Sequence, residues 1–176
     1  MIAGHARLSD TLIARYARFP DRKPAAPDDC RNRLLNCMEI TRPLPSPNPV
    51  EQTDAALLQT AEEVSDAVFR SVPVPPLMRE HFWVQSSVFA GCIFPAPVLQ
   101  GSHFTDVTFR NCDLSNADLS GCSFQRVEFV ECKLVGANLS EGTWQHVVFE
   151  RCKMEFANFT LGKFRGVRVA GGTMRS

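Results

Sequence analysis

The chain has 176 residues, enough for one domain or one small domain plus a tail. Its 19 Lys and Arg balance 19 Asp and Glu, which argues against a bulk polyanion binder, against direct nucleic-acid binding and against a strongly acidic nucleic-acid mimic. Apolar residues make up 44% and charged residues 22%, ordinary for a soluble chain, and no apolar run approaches the ~18 residues that span a membrane.

Met1 to Pro20 carries Arg7, Arg15 and Arg18 without a continuous apolar core, so it does not read as a secretory signal. With an odd count of seven Cys, this points to a reducing compartment and a cytoplasmic protein. Ser9 to Arg18 reads as a short helix with Leu12, Ile13 and Tyr16 on one side, and Pro20 to Pro27 as a linker. Asp28 to Ile40 reads as a second helix, with Leu34, Leu35 and Met38 apolar. Pro43, Pro45, Pro47 and Pro49 then break the chain, so residues 1–47 are expected to be a flexible, partly helical segment. A better helix start follows: Asn48 as cap, Pro49 at the first helical position, Glu51 three after the cap. Leu57, Ala61, Val64 and Val68 share one stripe. The spacing predicts a helix over Asn48–Arg70, ending before Pro73, Pro75 and Pro76. Residues 48–80 are expected to be the N-terminal cap of what comes next.

From Phe82 onward large apolar residues recur every five positions. They are Val84, Phe89, Phe94, Leu99, Phe104, Phe109, Leu114, Leu119, Phe124, Phe129, Leu134, Leu139, Trp144, Phe149, Met154, Phe159, Phe164 and Val169. The residue two before each is mostly small or β-branched. Cys92, Cys112, Cys132 and Cys152 stand twenty residues apart, and Cys122 takes the same small position in another column. Neither a helical nor a strand period produces this pattern. Four five-residue segments make one square coil, and each coil returns the chain one strand spacing (roughly 4.8 Å) further along. Residues 81–176 are therefore expected to be a β-solenoid of about 4.5 coils by this spacing, its centre filled by these side chains.

Ala117-Asp118-Leu119-Ser120-Gly121 and Ala137-Asn138-Leu139-Ser140-Glu141 resemble the A(D/N)LXX motif of the pentapeptide-repeat family. The resemblance covers about Phe82 to Gly171. It implies a mainly β fold, a right-handed quadrilateral β-helix, and no enzymatic activity or cofactor. The family default is a scaffold or protein-interaction module with an unidentified protein partner. Its best understood members, the Qnr-type fluoroquinolone-resistance proteins, bind DNA gyrase and resemble duplex DNA. Cys112 to Gly121 looks similar to their repeats, so a topoisomerase is an alternative partner. The neutral charge departs from that pattern. So does the length: about 4.5 coils reach only ~22 Å, about six base pairs of duplex. Other members are exported bacterial effectors, a second alternative.

Several residue groups have side chains capable of chemistry. The Cys column reads as core, because parallel side chains do not converge on one metal. Ser, His and Asp are all present, and the histidines are His5, His81, His103 and His146, with His103 and His146 at outward positions of one face, but catalysis is not expected, since a solenoid of this kind lacks a cleft that excludes water. Phe156 and Leu161 fall at outward corners, Val130 and Val148 at outward positions of another face, and these four are candidate interface residues. Lys163, Arg165 and Arg168 make the last coil basic, a candidate contact for an acidic partner. That coil lacks a capping helix after Val169, so a homodimer through the C-terminal coil is expected.

Overall fold

The computed structural model describes residues 40–174. The helices expected at Ser9–Arg18 and Asp28–Ile40, the intervening linker, Cys30, Cys37 and His5 lie outside the described residues, apart from Ile40 itself. The described chain is mainly β. Its strands are β1 (Val50–Gln52), β2 (Glu63–Ser65), β3 (Ala67–Arg70), β4 (Trp83–Gln85), β5 (Val88–Ala90), β6 (His103–Arg110), β7 (Ser123–Val130), β8 (Thr143–Lys153) and β9 (Lys163–Thr173), with one helical turn, α1 (Leu57–Thr60). All strand pairs are parallel, and most join residues twenty apart: Phe69 pairs Phe89, then Phe109, Phe129, Phe149 and Val169. A parallel ladder with this offset is a solenoid, here of about six turns counted from Gln52 to Val169.

The period of five has a backbone cause. From Asp66 to Gly171 a residue with positive φ recurs every five positions, Pro76 excepted, with φ between 41° and 68°. Each such residue turns the chain, so a twenty-residue coil has four corners. Between corners the segment is extended, and the central residue and the one two before it point inward. The rings therefore stack. Phe69, Phe89, Phe109, Phe129 and Phe149 lie 5.0–5.1 Å apart with nearly parallel planes. Small residues beside the rings complete the packing. Where that residue is Ser, its hydroxyl is used: Ser87 Oγ accepts the Ala67 N–H at 3.2 Å and Ser102 Oγ accepts the Phe82 N–H at 3.0 Å. Phe89, Phe94, Leu99, Phe104, Phe109, Leu114, Leu119, Phe124, Phe129, Leu134, Leu139, Trp144, Phe149 and Met154 are all buried. Phe159 is only half-buried and Phe164 is exposed, because no further described coil covers them.

Two expectations need correction. The helix over Asn48–Arg70 does not form; that stretch holds β1, α1, β2 and β3. The solenoid begins near Val50 rather than Phe82, and has about six turns rather than 4.5 coils. Val64 pairs with Val84 and Phe69 with Phe89, so the non-local ladder overrides a local helix preference. The first coil is also shorter: Val50 pairs with Ala67, seventeen residues on. There α1 replaces two sides of the coil and sends Leu58 into the core, where it is 1% exposed. Arg79 stands where the five-residue period asks for an apolar centre. Its guanidinium instead donates to the carbonyls of Leu58 and Ala61 at the end of α1 and lies over the Phe82 ring, a cationic C-cap.

One column shows how tightly small and large positions are matched. Trp144 is fully buried and stacks on Phe124 at 4.2 Å. Residue 142 is Gly, and a Cβ there would meet the indole nitrogen at 2.7 Å. We expect Gly142→Ala to destabilise by roughly 1–3 kcal/mol through overpacking. Trp144→Phe should remove most of that loss when combined with it, since Trp144 Nε1 has no hydrogen-bond partner to forfeit. Urea melts of the two single variants and the double variant check this; additive losses would refute the match.

Candidate functional site

The thiols of the column are all buried in the core. Each thiol in the column approaches a carbonyl of the coil before it: Cys92 that of Phe69, Cys112 that of Phe89, Cys132 that of Phe109 and Cys152 that of Phe129, at 3.3–3.6 Å. Cys122, in its own column, donates to the Leu99 carbonyl at 2.9 Å, and burial pushes its pKa up to about 12. Thiols buried in an apolar core pack as small hydrophobic groups with little access for a substrate or an ion. Among the described residues no group of three or more His, Cys, Asp or Glu is placed to hold a metal. The void along the solenoid axis is lined by apolar side chains such as Leu58, Phe82, Leu119 and Phe129. His103 stacks on Trp83 at 4.1 Å, at the surface.

Two surfaces stand out. The first is the final coil. Among the described residues β9 pairs with β8 on one edge only. Phe164 and Val169 are each 51% exposed, and Lys163, Arg165 and Arg168 are exposed beside them. The corners of this coil are unusual. Phe156 (φ 59°) and Leu161 (φ 58°) are exposed large apolar residues in left-handed backbone. The equivalent corners of earlier coils hold Asn116 and Gly136, or Gly121 and Glu141. Any side chain there costs of order 1–2 kcal/mol, and these two gain no burial in return.

The second surface was not anticipated from sequence. Residues 40–49 run as a strap without helix or strand across β6, β7 and β8. The Thr41 N–H donates to His146 Nδ1 at 3.4 Å, Arg42 ion-pairs with Glu128 at 3.1 Å, and the Leu44 N–H donates to Asp106 Oδ1 at 3.0 Å. Asp106, Arg126 and His146 occupy one corner column, twenty residues apart. Arg126 holds Asp106 in two hydrogen bonds of 2.7 and 2.6 Å. Burial works to raise the Asp106 pKa, but the bonds from Arg126 and Leu44 outweigh it, and the carboxyl lies below its usual range. Val130 and Val148 point outward by register, as expected, yet each is only 6% exposed. They are therefore not part of an open apolar patch, which corrects the expectation. Phe156, Leu161, Lys163, Arg165 and Arg168 are open.

The parallel ladder, the five-residue corners and the stacked core define a β-solenoid. The chain belongs to the pentapeptide-repeat family: the model for the pentapeptide repeat region matches residues 84–159 and 102–175, together about half of the sequence. Among solved structures, a pentapeptide repeat protein from the Arabidopsis thaliana thylakoid lumen is similar at 23% identity with a TM-score of 0.34. The match covers 61% of this chain and 66% of that one, just under two thirds of its length. Two structures of QnrB1, a plasmid-mediated fluoroquinolone resistance protein, are similar at 12% and 14% identity, with TM-scores of 0.26 and 0.22. They cover 68% and 61% of this chain and 87% and 82% of theirs. These likenesses concern the fold alone. No curated protein matches the chain.

Proposed function

We propose that this protein is a non-enzymatic interaction module, a right-handed quadrilateral β-helix acting in the cytoplasm, that docks through its C-terminal coil. One observation carries the reading: Phe156 and Leu161 place large apolar side chains in solvent at corners whose backbone disfavours them. A partner that buries them would offset that strain. A second copy of the chain fits the same coil, because a two-fold contact would cover the open edge of β9 with Phe164 and Val169 in both copies.

Sedimentation of the full chain tests this. The wild type should dimerise at about 100 micromolar or below. Phe156→Gly with Leu161→Gly should dissociate it while its melting temperature holds or rises, since Gly relieves the left-handed strain. A wild-type monomer throughout, or a dimer indifferent to both changes, would overturn the second-copy reading. Topoisomerase binding rests on less. A duplex mimic needs a run of free negative charge, whereas Asp106, Asp113, Glu128, Glu131 and Glu150 each face a cation. A gyrase supercoiling assay separates that alternative from the module reading.

A further inference from the structure

The strap and the face beneath it are bound to each other unequally. Leu44 is 61% exposed, and the Arg42 side chain is 62% exposed. No residue of the strap belongs to the apolar core, which begins at Ala55. Among the described residues, two backbone N–H bonds and one ion pair attach it to the solenoid. The face it crosses is different. Asp106 is 8% exposed and the Glu128 side chain 7%, and both are held on strands continuous with the core. Removing the strap would leave the solenoid intact and two carboxylates open beside Val130 and Val148.

The contacts also specify what the face accepts. Prolines at 43, 45, 47 and 49 remove alternate N–H donors and keep the strap extended, which lowers the entropy lost on docking. Of the donors that remain, the Thr41 N–H goes to His146 and the Leu44 N–H to Asp106. Between them Arg42 meets Glu128 as an ion pair at 3.1 Å. The three acceptors come from three successive coils, so an extended segment crossing the coils is read at three levels. Neither a helix nor a sheet-pairing strand offers its donors in this way.

We propose that the Asp106–Glu128–His146 face is a recognition site for an extended, proline-interrupted segment of a partner protein that carries one arginine, and that Ile40–Pro49 is its resident, displaceable occupant. The tether is short: three residues separate Ser46 from Val50 in β1. The strap therefore competes at a millimolar-scale effective concentration, and the site is closed to weak ligands until the strap lets go.

The test uses the full chain and a fluorescein-labelled peptide of the sequence Ile40–Pro49. Arg42→Glu sets a carboxylate against Glu128 and should release the strap. Leu44→Pro removes the N–H that Asp106 accepts while keeping the segment extended. Both variants should bind the peptide about tenfold or more tightly than the wild type by fluorescence anisotropy. Binding should be lost when Glu128→Gln is added, and when the peptide's arginine is replaced by alanine. Circular dichroism and the melting temperature show whether each variant is folded, and Leu44→Pro serves if Arg42→Glu is not. No binding by a folded release variant up to about 500 micromolar peptide would overturn the proposal. So would equal binding by the wild type, or binding indifferent to Glu128→Gln.

Discussion

Phe129→Ala is expected to destabilise the protein by roughly 3–5 kcal/mol. Phe129 is fully buried, with Phe109 and Phe149 stacked above and below it at 5.0 Å and Phe124 edge-on at 6.0 Å. The rings on either side are fixed by their own ladders, so the hole cannot collapse. Phe164→Ala is the same chemical change at the end of a neighbouring column, where the ring is 51% exposed. Its loss should be nearer ~1 kcal/mol, because less area leaves the core and no closed cavity forms. Chemical denaturation of both variants gives the comparison. Equal losses would mean that stacking in mid-solenoid is not what holds the fold.

Leu119→Lys should abolish folding. Leu119 is 2% exposed and sits beside Ala117, 1% exposed, in a column of Leu99 and Leu139 that carries no charge. A lysine there buries an ammonium with no partner, and a parallel coil gives it no path to solvent. The control is Gln125→Lys, six residues on, which points outward from β7 and is exposed. That variant should melt like the wild type. A cooperative melt from Leu119→Lys at an unchanged temperature would show that the inward assignment of the whole register is wrong.

The helix expected over Asn48–Arg70 rests on local signals. Asn48, Pro49, Glu51 and the stripe Leu57, Ala61, Val64 and Val68 are sound helix signals over twenty residues. Against them stood a fainter one: Val64, Phe69 and Val74 are in phase with Val84, interrupted only by Arg79. Helix signals act within a few residues, whereas each strand of this ladder is held by a neighbour twenty residues away. The second does not show in a local window. Val130 and Val148 carry the same lesson, since register gives the direction of a side chain but not its burial.

From about Phe82 onward the coil is legible in the order of residues alone. An unbroken five-residue period admits one packing, in which like side chains stack and small residues make room for large ones. It also marked Phe156 and Leu161 as outward corners, because corner positions follow from the same count. The start of the solenoid at Val50, the closure of α1 by Arg79 and the passage of residues 40–49 over the Asp106–Glu128–His146 face come from packing. Each of these depends on contacts between residues that are adjacent only after the chain has coiled.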